Sequence, residues 1–539
     1  MKMPSKYIVI IIAFHLIGCS SHEYPDKKIF HYNEASGIAS LDPAFAKNQS
    51  IMWMIHQLFN TLIEVDQNME LKPMIAKSWD ISRDNLIVTF HLRDDIYFHN
   101  DAAFPGGRGR KLVASDVVYS FGRIADKNTA SPGAWIFNNR VDSINPFISV
   151  DDTTFQIKLM KPFQPILGIL SMQYCSIVAK EVIEKYGSDI RRHPVGTGPF
   201  KFVAWEEGQA LVLGRNDNYF EKDSSGYALP YLDGIKVSFY DSKASEFLEF
   251  RQRRLDFIND IDASFKDEIL TKTGNLKKQW EGKLQLKKHP YLNIEYLGIL
   301  SDSSNPYVRG SPLRSLKIRQ AINYGIDRKK MMLYLRNSIG TAAESGFVPS
   351  GLPSFDPVLV QGYHYDPVKA KKLLTEANIP GSEMPVIKLL TIPQYANLAS
   401  YVANELMQLG IKVQVEAIQK SLLLEQTSKS QALFFRGSWI ADYPDAENYL
   451  SVFYSKNPAP PNYTRYKNNA FDIMYEKAIA EKNDSMRYRL YQEMDRMIIH
   501  DAPVVPLWYD MVIHLAHTNI SNFQPNSLNM LELRRVKKR

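Results

Sequence analysis

The chain of 539 residues is long enough for two or three domains with large cores, and 45% hydrophobic with 23% charged residues is the balance of a globular protein. A formal net charge of +7, from 65 basic and 58 acidic residues, is too mild to argue for nucleic acid. Aromatic content is 12%, which suits large cores or a cleft lined with flat amphipathic surfaces.

At the N-terminus, MKMPSKYIVIIIAFHLIGCSS sets Lys2 and Lys6 before a short apolar run and small residues, the layout of an export signal. The run is shorter than the roughly 20 residues that a transmembrane helix needs. Leu16-Ile17-Gly18-Cys19 looks like a bacterial lipobox. Residues 1–18 are therefore expected to be a signal peptide, Cys19 the acylated first residue of the mature chain, and residues 19–27 a tether. With Cys19 acylated, Cys175 has no partner within the monomer, and core burial alone must hold the fold.

Next, KIFHYNEASGIASLDPAFA alternates like a strand before a turn. IMWMIHQLFNTLIEV places Ile51, Met54, Ile55, Leu58, Phe59 and Leu62 at helical intervals, one apolar stripe for a core. NLIVTFHLRDDIYFHN reads as strands, followed by a Gly-rich loop, PGGRGRK, and a helix from about Ser115. Glycines before a helix can aim amides at a phosphate, but no GK[ST] ending follows, so Arg108, Arg110 and Lys111 read as an exposed loop. The glycine pair of HPVGTGPFKFVAW precedes a strand-like run, as in a turn or an interdomain crossover.

Farther along, LKIRQAINYGIDRKKMMLYLR, DPVKAKKLLTEANI and LASYVANELMQLGI have helical spacing, and VIKLLTI and KVQVEAI read as strands. Strand-helix-strand order favours a parallel right-handed crossover. No HExxH, CxxC, GxSxG or Walker signature occurs, and the 12 histidines do not cluster with carboxylates, so no catalytic residue, metal site or cofactor is expected. His91 and His99 read as sheet or surface residues, and the basic ending LRRVKKR as a solvated tail.

After the apolar run ALFF, RGSWIADYPDAENYL brings a fixed cation, an indole and carboxylates together. Asp445 precedes a helix-like run and reads as its N-cap. Asp442, in a turn before Tyr443-Pro444, reads as a ligand contact. Arg436 is open between a ligand contact and half of a structural ion pair, and Trp439 between core packing and stacking on a ligand.

Eight blocks, LDPAFA, LKPMIAKSWDISRDNLIVTFHLRDDIYFHND, LVASDVVYSFGRI, HPVGTGPFKFVAW, RNDNYF, LRSLKIRQAINYGIDRKK, YDPVKAKKLLTEANI and WIADYPDAENYL, run in order across nearly the whole mature chain. This set resembles the large solute-binding proteins of bacterial peptide ABC importers, the oligopeptide and dipeptide-binding class called family 5. The resemblance implies an α/β, two-lobed periplasmic-binding-protein fold of class II (cluster C) type with an extra inserted domain. Lobe I would take residues 28–66, 190–287 and 505–539, the insert 67–189, and lobe II 288–504. By the same resemblance Asp442, in the W-x-x-D block, holds a peptide's α-ammonium, Arg436 helps receive the peptide carboxylate, and Trp439 stands beside them. A closed cleft would strengthen both attractions by excluding water.

The protein implied is a monomeric extracytoplasmic receptor, attached to a bacterial membrane through lipidated Cys19. It closes about a hinge on a short peptide and delivers it to a permease driven by a separate ATPase. The alternatives on the same fold are a binding protein for an oligosaccharide, nickel chelate or haem, and an exported hydrolase or surface interaction lipoprotein.

Overall fold

The computed structural model describes residues 27–378 and 384–539; the expected export signal and Cys19 lie outside the described residues. Ile29–Asn33 is a strand, as expected, paired in parallel with Gly234–Ser238. Ala210–Arg215 and Phe200–Glu206 complete an antiparallel continuation to four strands. Alternation decides which face is inside: Phe30, Tyr32, Leu211, Leu213, Ile235 and Val237 are all buried in one core.

The helix Gln49–Leu58 is shorter than its apolar stripe. It starts where the Asn48 side chain accepts the Ile51 amide at 3.1 Å. It ends at Leu58 because two glycines press on its last turn: the Gly198 amide donates to the Leu58 carbonyl at 2.9 Å. A β-carbon at Gly196 would stand 2.1 Å from that same carbonyl oxygen, so the pair in HPVGTGPF serves close approach. Phe59 and Leu62 bury against the same core from extended chain, which is why the apolar pattern outlasts the helix.

A second four-stranded sheet, Ala76–Ile81, Ile87–Leu92, Thr154–Lys158 and Phe147–Asp151, is antiparallel and backed by the helix Ala114–Ala125. The Gly-rich loop before that helix ends in Arg110, held by Asp116 at 2.7 Å and Glu181 at 2.6 Å. Its guanidinium is thus taken up by the protein's own carboxylates and is not left free for a phosphate. Phe90, Phe121 and Phe155 belong to the same buried cluster as Phe30 and Trp53, so residues 67–189 share one continuous core with the first sheet. His91 lies at the surface 2.8 Å from Asp80, and His99 is buried against the Gly198 carbonyl at 2.9 Å.

The largest sheet runs in the order Phe257–Asn259, Val504–His517, Leu284–Ile299, Phe434–Ile440, Ile387–Thr391, Val413–Ala417, with Thr341–Ala342 added on Val504–His517. VIKLLTI and KVQVEAI pair in parallel, Ile387 opposite Val413, across the helix Ala396–Met407. The expected helix LKIRQAINYGIDRKKMMLYLR is two helices, Leu316–Tyr324 and Arg328–Leu335. The break at Gly325 lets buried Arg328 donate to the carbonyls of Asn323 at 2.9 Å and Pro506 at 2.6 Å.

Two strands of this sheet are long, 16 residues in Leu284–Ile299 and 14 in Val504–His517, and they pair antiparallel. The border expected at 287/288 falls inside the first of them. Register slips between Pro290 and Ile294 and again between Glu295 and Tyr296, a bulged stretch midway along the ribbon. One end of the ribbon packs on Phe247 and Phe250; the other separates a core of Tyr296, Tyr449 and Phe453 from one of Leu297, Ile318, Val402 and Trp508.

Candidate functional site

The strand Phe434–Ile440 lies antiparallel to Leu284–Ile299, with Trp439 opposite Ile294. The Ala441 amide adds a further bond to the Leu292 carbonyl at 2.9 Å, and the chain then turns at Asp442. Beyond that turn the chain is pinned by buried hydrogen bonds. The hydroxyls of Tyr443 and Tyr475 both donate to the buried Glu447 carboxylate, and Tyr449 donates to the Leu292 carbonyl at 2.6 Å. Asp445 accepts the Glu447 amide at 2.9 Å and stands 3.8 Å from Arg487, but it lies one residue before the N-cap of the helix Glu447–Leu450, which is Ala446, so the capping position expected of it falls one residue later. Asp442 is therefore presented from a turn fixed on both sides.

Its side chain reaches solvent, yet protein walls surround it, and that partial burial raises its carboxyl above the ordinary range. A hydrogen bond from Asn448 acts in the opposite direction. Asn448 is itself oriented by the Trp439 indole, which donates to its Oδ1 at 2.9 Å. Nearby Tyr174 has its hydroxyl pushed up to about 12, by burial and then by the Asp442 charge.

Asp442 lines a cleft of about 620 Å³. Lys47, Met52 and His56 form one wall with Glu532 and Arg534; Trp135 and Tyr174 form another; Tyr291, Ile440 and Asp442 come from the large sheet. Most of its charges are satisfied within the wall. Arg534 is gripped by Glu64 and Glu221 at 2.6 Å each and by Glu532 at 3.1 Å. Glu532 also meets His56 at 3.1 Å, and although burial opposes it, Arg534 and His56 hold its carboxyl down at about 2. Arg535 pairs with Glu221 at 3.3 Å and Asp66 with Lys72 at 3.4 Å. Asp442, by contrast, has no ion pair among the described residues.

Of the three side chains expected to touch a ligand, only Asp442 is in the cleft wall. Arg436 is bidentate to Glu295, with contacts of 2.6 and 3.0 Å, and its guanidinium lies 3.9 Å over the Tyr395 ring. Both partners are nearly out of solvent, so the fork that would receive a peptide carboxylate is already filled. Glu295 carried no signal of its own in the sequence, since it lies 141 residues from Arg436 and meets it only through strand pairing. Trp439 is half-buried against the Tyr296 core and acts on the cleft through Asn448, a residue the motif did not single out. Cys175 is a buried free thiol. Among the described residues no group of three or more His, Cys, Asp or Glu side chains is arranged to hold a metal ion, and no helix is long and apolar enough to cross a membrane.

The family model described as bacterial extracellular solute-binding proteins, family 5 (middle) matches residues 70–461. The chain is 28% identical over 471 residues to heme-binding protein A of Haemophilus influenzae, covering 84% of this chain and 81% of that one. It is 25% identical over 504 residues to the glutathione-binding protein GsiB of Escherichia coli, covering 90% of each. Among solved structures, HbpA2 from Haemophilus parasuis superposes with a TM-score of 0.83 at 23% identity, covering 95% of this chain and all of that one. These likenesses extend to the two-lobed α/β architecture of periplasmic binding proteins.

Proposed function

Because the chain belongs to the bacterial extracellular solute-binding proteins of family 5, we propose that it captures a short peptide in the Asp442 cleft and passes it to an ABC importer. The observation that carries this reading is the carboxylate of Asp442, held in a walled cleft without an ion pair among the described residues. A ligand bearing an ammonium supplies the partner, and exclusion of water on closure strengthens the pair. The relatives' names point to two chemistries, haem and glutathione. Haem brings two propionates and no ammonium, so it would leave Asp442 unmatched. A peptide brings an α-ammonium at one end and a carboxylate at the other, and an extended backbone gives it further main-chain contacts.

In this reading residues 28–66, 190–287 and 505–539 form lobe I, 67–189 the insert and 288–504 lobe II, with the bulged ribbon of Leu284–Ile299 and Val504–His517 as the hinge. Closure is ligand-stabilised motion without covalent chemistry. The partners are a permease and a separate ATPase, and lipidated Cys19 attaches the receptor to a bacterial membrane outside the cytoplasm, at a periplasmic face or the cell surface. Native mass spectrometry of the purified protein tests the ligand class. A retained mass that fragments as a peptide is expected; a retained porphyrin, sugar or metal chelate would replace the peptide reading with that solute.

A further inference from the structure

The cleft wall contains a second charge without a partner. Of the basic side chains that line it, Arg534 is ringed by three carboxylates, Arg535 is paired with Glu221, and His56 with Glu532. Lys47 remains: it lines the same cleft, it is exposed, and its ammonium has no hydrogen bond or ion pair among the described residues. The cleft thus offers one unmatched anion and one unmatched cation, and they come from different parts of the chain. Lys47 lies in the loop just before the helix Gln49–Leu58, and Asp442 stands in the turn just after the strand Phe434–Ile440.

The loop that carries Lys47 is built to stay in place. Asp42 is buried, accepts the Ala44 amide at 3.0 Å and is clamped by both terminal nitrogens of Arg123 at 2.7 and 2.6 Å. Ser131 donates to the Ala44 carbonyl at 2.6 Å, and the Lys47 amide itself donates to the Phe45 carbonyl at 2.7 Å. Only the lysine side chain is left to move. A long flexible cation on a fixed backbone suits a ligand end whose position varies, whereas a guanidinium already filled by Glu295 does not. The positive end of the helix Gln49–Leu58 adds a partial charge of the same sign, since Asn48 and Gln49 also line the cleft.

We propose that Lys47 receives the carboxylate of the captured ligand, the role that the sequence motif would give to Arg436. The assignment rests on the peptide reading and makes it more specific: the ligand needs a free carboxylate as well as a free ammonium, and the lysine sets how far apart these stand. Loss of the lysine charge weakens binding only of ligands that bring a carboxylate to it.

The test uses the full-length protein and a randomised tripeptide mixture, made once with free carboxyl ends and once as C-terminal amides, with apparent affinity read by thermal-shift titration. The expected result is that wild type prefers the acid mixture, that Lys47→Met weakens the acid mixture at least tenfold while leaving the amides unchanged, and that Lys47→Arg restores the preference. Unchanged affinity of Lys47→Met for the acid mixture, or equal loss for acids and amides, overturns the role of Lys47 while peptide capture stands. If neither mixture stabilises wild type, the peptide reading falls and the assignment falls with it.

Discussion

At Asp442 the walls of the cleft raise the carboxyl's proton affinity, and Asn448 offsets only part of that. A carboxyl raised in the folded state contributes stability that is complete below its unfolded value and lost as pH rises through the folded one. Once ionised, the side chain therefore weakens the protein as long as no cation stands beside it. Asp442→Asn keeps the shape and removes the charge. It is expected to raise the melting temperature of the ligand-free protein at pH 7 and to weaken peptide binding more than tenfold; thermal melts and calorimetry would check both. Acidification has the same cause: peptide affinity should begin to fall above the ordinary carboxylate range, because the ammonium needs the ionised form. The turn that carries Asp442 was legible in the sequence from the Tyr443-Pro444 that follows it, and the structure puts that side chain in the cleft wall. Lys47 and Asn448 were not, since being unpaired, or orienting a neighbour, is a property of side chains that meet only in the folded chain.

Elements carry the ion pair that the motif left open. Arg436 and Glu295 sit on adjacent strands, nearly buried, and burial pushes the Glu295 carboxyl up to about 7 against the pull of Arg436. Removing one partner of such a pair leaves an uncompensated buried charge, a cost of about 3–5 kcal/mol. Arg436→Met is expected to lower stability by that order, measured by denaturant unfolding, and to leave peptide affinity within about threefold of wild type. The double variant Arg436→Met/Glu295→Gln should recover part of the loss. A variant that folds normally but loses peptide binding would return Arg436 to the ligand. Strands and the parallel crossover were readable from alternation and order, because period and connectivity are local properties. Element ends were less so. The first helix stops where Gly196 and Gly198 arrive from more than a hundred residues away, and the helix near Gly325 breaks so that Arg328 can reach the Pro506 carbonyl on a distant strand.

For the whole molecule, the proposed lobe division makes the bulged ribbon the covalent link between the two halves of the cleft, but other contacts also cross between those residue ranges. The Gln164 amide donates to the Ile479 carbonyl at 2.7 Å, Asn85 to the Ala480 carbonyl at 3.1 Å, and Lys482 to the Ser82 carbonyl at 2.7 Å. Tyr443, one residue past Asp442, is buried in the core that Phe30 and Phe90 share and stacks near Trp135 at 6.4 Å. The turn that presents the carboxylate thus also packs into that core through Tyr443, so under the proposed closure occupation of the cleft would be coupled to how the halves sit. The family resemblance implied two lobes and an insert, and it did not reveal that residues 67–189 share a core with the first sheet and also bond to the segment 479–482. The central claim is that Asp442 pairs with a ligand's α-ammonium. Its most direct measurement is thermal-shift titration of wild type and Asp442→Asn with the randomised tripeptide mixture, once with free and once with acetylated amino ends. The account predicts stabilisation only for wild type with free amino ends; equal stabilisation by acetylated peptides, or full binding by Asp442→Asn, would contradict it.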